Sequence, residues 1–166
     1  LYVKMLGQAI ARTKGEPVRR DKSECLVDLR VDAFIPEKYI ADGPGRIEAY
    51  KRIAAIQTPE DAADVLDELI DRYGDPPRGV MNLIDITLLR ARASAAGIRD
   101  IAQKGRTLRF RLAQFDFAVV SRVAGQYQKR MFVEPKSDEP AITLQLTAKE
   151  DPLQAAERFV KTYQGE

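Results

Sequence analysis

The chain has 166 residues, an apolar fraction of 45% and a net charge of +2, which is typical of a globular protein with one large domain or two small ones. It contains no histidine and a single cysteine, Cys25. His-based nucleophilic catalysis, a His-ligated metal site and a multi-thiolate zinc site are therefore excluded. No glycine-rich phosphate loop and no apolar run long enough to span a membrane is present. The composition predicts a non-enzymatic, cytoplasmic chain without a cofactor.

The first 25 residues are predicted to lie outside the main domain. Apolar side chains recur at helical spacing over residues 1–14, with no capping residue ahead of them. We therefore expect residues 1–15 to be the last helix of a module that precedes this domain in a longer chain. Residues 16–25 are polar and carry a basic cluster, which predicts a connector. The domain proper is expected to span residues 26–166.

Residues 26–34 alternate between apolar and charged side chains, which predicts a half-buried strand. Asp28 and Asp32 are the best candidates for a paired-carboxylate or Mg²⁺ site, but Arg30 stands between them and favours ion pairing. A helix is predicted over residues 46–57 after a break at residues 42–45. The side chains expected to anchor this region to the core are Ile35, Tyr39, Ile40, Ile47, Tyr50, Ile53 and Ala54.

Residues 58–77, TPEDAADVLDELIDRYGDPP, predict a helix with both ends specified. Thr58 is a good N-cap, Pro59 suits the first helical position and Asp61 stands at the capping-box position. Gly74 and the prolines that follow predict the end of the helix. The side chains expected to face inward are Ala62, Val65, Leu66, Leu69, Ile70 and Tyr73.

The same helix carries acids at spacings of three and four, and no lysine or arginine lies between Glu60 and Asp71. The predicted stripe comprises Asp61, Asp64, Glu68 and Asp71. Like charges four residues apart repel by roughly 0.2–0.5 kcal/mol per pair, so the stripe is a candidate docking surface for a basic partner. The alternative is a solvated face whose acids favour the helix N-terminus. That alternative accounts for Glu60 and Asp61 but not for Glu68 and Asp71, which lie in the last turns.

The second half of the chain predicts a buried helix over residues 79–96 followed by a β-β-α-β-β-α unit. The fold class is therefore α+β, with a helical N-terminal half packed with a small, mostly antiparallel sheet that carries helices. The strands are expected at residues 98–101, 107–112, 130–134 and 141–146. The candidate residues for an alternative function, a nucleic-acid-binding accessory module, are Arg106, Arg109 and Arg111.

Three motifs occur in a distinctive order. A-x-I-P-x-x-Y-I spans Ala33–Ile40, R-x-x-x-Y-K-R spans Arg46–Arg52, and E-L-x-D-R-[FY]-G-x-x-P spans Glu68–Pro77, followed by N-L at Asn82–Leu83. Together they resemble the C-terminal domain of the bacterial transcription-repair coupling factors (Mfd). The resemblance covers residues 26–101 well, and the last 60 residues or so match only in general layout.

This resemblance implies a non-catalytic regulatory domain of an ATP-dependent DNA translocase that couples transcription to nucleotide excision repair. ATP and Mg²⁺ are then expected only in motor domains outside this chain. In the family, the domain packs on the UvrB-like module of the same protein and masks its UvrA-binding surface until RNA polymerase is engaged. The family acids credited with this contact correspond to Glu68 and Asp71, and their partners are arginines.

The expected partners are therefore the UvrB-like module of the same chain, UvrA indirectly, and RNA polymerase and double-stranded DNA through the rest of the protein, with no membrane. A structural cap without a partner stays open as a further alternative.

Overall fold

The computed structural model describes residues 24–135 and 138–165. The predicted leading helix at residues 1–15, and the connector up to residue 23, lie outside the described residues. The described chain divides into two compact units, one formed by Asp32–Leu88 and the other by residues 24–31 together with residues 89–165. The predicted domain boundaries stay predictions. None of the described helices is long and apolar enough to cross a membrane.

The first unit is built from α1 (Gly43–Ala54), α2 (Pro59–Tyr73) and the first part of α3 (Arg78–Ala95). Its core confirms that Ile35 and Ile40 anchor the segment ahead of α1, and Tyr39 packs against the same cluster. The fully or almost fully buried members of this core are Ile35, Ile40, Ala49, Tyr50, Ile53, Ile56, Leu69, Val80, Leu83 and Ile84.

Two predicted core residues are exposed. Ile47 is 47% exposed and Ile70 is 39% exposed, although both were expected to face inward. Ile70 follows the buried Leu69 by about 100° around the helix, which carries it to the edge of the apolar arc. Helix α1 also begins earlier than predicted. Asp42 caps it by accepting a hydrogen bond from the Gly45 N–H at 2.6 Å, and a proline is tolerated in the first helical turn.

The second unit is a five-stranded sheet with helices α4 (Phe117–Tyr127) and α5 (Pro152–Gln164). Its strands are β1 (Leu26–Asp28), β2 (Ile98–Lys104), β3 (Thr107–Leu112), β4 (Met131–Glu134) and β5 (Ala141–Gln145). The strand order is β1-β2-β3-β5-β4, and every neighbouring pair is antiparallel except β1 and β2. The α+β fold class is confirmed.

The side chains of strand β3 alternate between the two faces of this sheet. Leu108, Phe110 and Leu112 are buried, and the Phe110 ring stacks on Phe159 of α5 with centroids 3.9 Å apart. Arg109 and Arg111 have the opposite parity and are partly exposed. Strand alternation along β3 is therefore confirmed, and the arginines lie on the face away from the core that Phe110 and Phe159 share.

Strand β1 is shorter than predicted, because it ends at Asp28. Beyond it the Arg30 N–H donates to the Gln103 side chain at 2.8 Å, and the Val31 N–H donates to the Leu29 carbonyl at 3.0 Å. The first donor is taken by a side chain of β2 and the second by a local carbonyl, so neither continues the backbone ladder. No group of three or more metal-ligating side chains comes together within the described ranges, so Asp28 and Asp32 gain no further ligand there.

Candidate protein-interaction site

The ends of α2 are fixed by the residues that the sequence singled out. The Thr58 hydroxyl accepts from the Asp61 N–H at 3.1 Å, and the Asp61 carboxylate accepts from the Thr58 and Gln57 N–H groups at 3.2 and 3.0 Å. This is the predicted capping box. Asp61 therefore helps to fix the start of the helix, and its role in partner binding stays a prediction.

Four exposed acids form the surface of α2 opposite its buried side. Leu69 marks the buried side, and the acids lie within about 60° of one another on the far side of the helix. We call them the outer acidic row, and they are Glu60, Asp64, Asp67 and Asp71. The row runs for about 16 Å along the helix at a rise of 1.5 Å per residue. Across the described ranges none of the four forms a salt bridge.

The outer acidic row overlaps the predicted stripe only in part. Asp64 and Asp71 belong to both, whereas Glu60 and Asp67 were not assigned to the stripe. The predicted stripe is centred about 60° from the direction opposite Leu69, because it includes Asp61 and Glu68. A helical wheel centred on Leu69 would have found Glu60 and Asp67 from the sequence.

Glu68 lies at the edge of this surface and faces α1. Its Oε2 forms a direct ion pair with Nη1 of Arg52, and its Oε1 lies 3.7 Å from Nε of Arg72. Arg52 also approaches Glu48, with Nε 3.8 Å from Oε1. We call these four alternating charges the ion-pair ladder. The absence of basic residues from the acidic run predicts an unpaired Glu68, and this is wrong, because Arg52 comes from the preceding helix and Arg72 lies just beyond the run.

A groove of about 350 Å³ lies between α1 and α2 beside the ladder. All four ladder residues line it, and Val65 and Leu69 contribute apolar surface. The Glu68 side chain is 28% exposed, compared with 49% for Arg52 and 59% for Arg72. Solvent therefore reaches both arginines more readily than it reaches the carboxylate they bind.

The segment of the chain that contains α1 and α2 is acidic. Asp32–Leu88 contains 6 lysines and arginines against 12 aspartates and glutamates, which gives a net charge of −6. The ladder carries two charges of each sign and contributes nothing to this excess. A cation close to this segment is therefore attracted mainly by the outer acidic row and by the other acids of residues 32–88.

The three arginines of the alternative site each bind groups of the same unit. Arg109 pairs with Glu134 at 3.1 Å. Arg111 pairs with Asp100 at 2.7 Å and with Glu139 at 3.4 Å. Arg106 donates to two backbone carbonyls, those of Thr147 and Glu150. Acids therefore compensate the charge of Arg109 and Arg111, and the guanidinium of Arg106 closes a loop.

Comparison with known proteins points to one family. A family model described as the TRCF domain matches residues 29–121. The transcription-repair-coupling factor of Staphylococcus aureus (strain USA300) is 32% identical to this chain over 168 residues. The match covers 97% of this chain and 14% of that protein. The relative of the same name in Bacillus subtilis (strain 168) is 29% identical over 150 residues, which cover 87% of this chain and 13% of that protein. The chain thus spans only 13–14% of these relatives.

A solved structure supports the same assignment at the level of the fold. It is described as the crystal structure of the C-terminal domain of transcription-repair coupling factor, and it aligns with a TM-score of 0.77 at 21% identity. The alignment covers 88% of this chain and 95% of that one. Because the family model matches more than half of the residues of this chain, the chain belongs to the TRCF domain family.

Proposed function

We propose that this chain is a non-catalytic regulatory domain of a transcription-repair coupling factor, in which the exposed face of α2 docks on a basic surface of the protein's UvrB-like module. Docking masks the surface that binds UvrA. The observation that carries the proposal is the outer acidic row, whose four exposed carboxylates form no salt bridge among the described residues. Asp71, which belongs to the row, corresponds to one of the two acids credited with this contact in the family.

The energetics of such a contact suit a reversible mask. An ion pair between exposed side chains contributes roughly 0–1 kcal/mol. Three or four such pairs hold a tethered module in place because the tether supplies a high effective concentration. A competing partner can still displace them, whereas a large apolar seal would resist opening. Exposed charge pairs are also screened by salt, so the mask should weaken as ionic strength rises.

The other activities of the protein follow from the same proposal but lie outside this chain. ATP and Mg²⁺ would act in the motor domains, and double-stranded DNA and RNA polymerase would be bound by other modules. The domain itself would contact the UvrB-like module directly and affect UvrA through it. The protein would act in the cytoplasm, where its DNA and polymerase substrates are found, without a membrane partner.

The proposal is tested by reversing two charges of the outer acidic row in the full-length protein. Asp64→Arg together with Asp71→Arg should open the mask and raise the affinity for UvrA, measured by titration at low and moderate salt. Glu68→Arg is a less specific change, because it would place a third guanidinium beside Arg52 and Arg72. Asp28→Arg with Asp32→Arg is the matched control, since it changes the net charge equally at exposed acids outside α2 that also form no salt bridge among the described residues. Unchanged UvrA affinity in a folded Asp64/Asp71 variant would overturn the proposal.

Two alternatives give different results in related measurements. A passive cap predicts that the charge reversals in α2 change nothing. A nucleic-acid module predicts duplex binding that strengthens as salt falls and disappears when three arginines are replaced by alanine. These are Arg106, Arg109 and Arg111. Their intramolecular partners argue against this module, because a phosphate would have to compete with Glu134, Asp100 and Glu139.

A further inference from the structure

We infer that Arg52 competes with the docking partner for Glu68, so that the ion-pair ladder sets the strength of the mask. This inference rests on the proposed function, because it concerns the regulation of the same surface. In the undocked state, Glu68 is neutralised by arginines of its own domain. In the docked state, an arginine of the partner replaces Arg52, and Arg52 moves fully onto Glu48.

The first argument is that Glu68 already holds a guanidinium of its own domain at Oε2. Each of its two oxygens has a guanidinium beside it, Arg52 at Oε2 and Arg72 at Oε1. A partner arginine that binds the carboxylate through two parallel hydrogen bonds needs both oxygens. Oε1 is open, because the 3.7 Å contact with Arg72 is longer than a hydrogen bond, so the partner competes with Arg52 for Oε2. The two free carboxylates that lie nearest, Asp64 and Asp71, involve no such competition.

The second argument identifies Arg52 as the group that leaves. Arg52 is the arginine that is hydrogen-bonded to Glu68, so its displacement frees the oxygen that a partner needs. Its Nε already lies 3.8 Å from Glu48, one helical turn earlier in α1. After displacement Arg52 therefore keeps an acidic neighbour, and the exchange costs one exposed ion pair rather than the burial of an unpaired charge. Arg72 has no second acid within salt-bridge distance among the described residues.

The third argument is space for the incoming side chain. The groove between α1 and α2 has a volume of about 350 Å³ and borders Arg52 and Glu68. Its apolar lining, from Val65 and Leu69, would pack against the methylene stem of an arginine. The planar fork of a guanidinium fits a carboxylate better than an ammonium does, so the partner group is an arginine and not a lysine. Further cations of the partner should lie about 6 Å along the helix axis in one direction, to meet Asp64, and about 5 Å in the other, to meet Asp71.

The test uses two ladder variants of the full-length protein with opposite expected effects. Arg52→Ala removes the competitor, so the mask should tighten and UvrA should bind about three- to five-fold more weakly. Glu48→Gln removes the alternative partner of Arg52, so Arg52 should stay on Glu68 and UvrA should bind more tightly. Lys51→Ala is the matched control. It removes the same charge at an exposed neighbouring position of α1 and should leave UvrA affinity nearly unchanged.

The outcomes separate this inference from the proposed function. If Asp64→Arg with Asp71→Arg raises UvrA affinity but Arg52→Ala behaves like Lys51→Ala, the competition is refuted and the mask stands. If the Asp64/Asp71 variant is silent as well, the mask itself is refuted. Should Arg52→Ala fail to fold, Glu48→Gln decides alone, because it leaves both arginines in place. Weaker UvrA binding by Glu48→Gln would then contradict the competition.

Discussion

Two tyrosine hydroxyls form hydrogen bonds between the segment at residues 33–40 and the helices of the first unit. Loss of each hydroxyl should lower the free energy of unfolding by a different amount. The Tyr50 oxygen accepts a hydrogen bond from the Ile35 N–H at 2.9 Å. The Tyr39 hydroxyl donates to the carbonyl of Leu69 at 3.2 Å and to that of Gly74 at 2.8 Å. The first contact is buried, since Ile35 is 5% and Tyr50 is 9% exposed. The second lies where water reaches the end of α2.

The expected costs follow from this difference. Tyr50→Phe leaves the Ile35 N–H buried without an acceptor, and an unsatisfied buried donor costs about 1–3 kcal/mol. Tyr39→Phe leaves carbonyls that water can bind, so only the net value of a hydrogen bond is lost, about 0.5–1.5 kcal/mol. Against a domain stability of roughly 5–15 kcal/mol, Tyr50→Phe should be visibly the more damaging change.

The assay is urea unfolding, with the slope held as a check on two-state behaviour, combined with amide exchange at Ile35. Tyr73→Phe is the matched control. Its ring stays against Tyr39, with centroids 5.7 Å apart, and its hydroxyl has no hydrogen-bond partner among the described residues. Faster exchange at Ile35 should accompany the loss of stability in Tyr50→Phe. A cost for Tyr50→Phe no larger than that for Tyr73→Phe would refute the reasoning.

Three further experiments, two substitutions and one labelling reaction, test separate features of the two units. Thr58→Ala should lower the stability of the domain by about 1 kcal/mol in thermal unfolding, because it removes the N-cap of α2, and an unaltered transition would contradict the capping role. Burial raises the pKa of Asp85, so its ionised form is disfavoured in the folded state. The penalty is complete at neutral pH and fades as the pH falls through the raised pKa. Asp85→Asn should therefore gain stability at pH 7 and lose that gain near pH 4, whereas a pH-independent gain would point to another cause. Burial, with Asp100 as the next cause, raises the pKa of the Cys25 thiol to about 12. A thiol reagent at pH 8 should therefore label Cys25 only after unfolding, and rapid labelling of the native protein would contradict this environment.

The sequence predicted features that depend on neighbours along the chain and missed those that depend on tertiary contacts. The capping box of α2 and the alternation of β3 were predicted because each is encoded within a few residues. The parallel pairing of β1 with β2 joins Leu26 to Asp100 and has no local signal. The same holds for the Arg52–Glu68 pair, since the two residues are 16 positions apart and only the packing of α1 on α2 brings them together.

The outer acidic row can be interpreted as a docking surface or as a solvated face. The two interpretations predict different relations between the stability of the domain and the affinity for UvrA. Asp67 stands three residues after Asp64 and four residues before Asp71, so it takes part in two like-charge contacts on the helix surface. Neutralising it should relieve roughly 0.2–0.5 kcal/mol for each contact. Asp67→Asn should therefore stabilise the domain in urea unfolding under either reading. If the row binds the UvrB-like module, the same substitution should also weaken the mask and raise UvrA affinity in the full-length protein. A stabilised variant with unchanged UvrA affinity would show that the row is a solvated face, and the repulsion would then have no compensating function in α2.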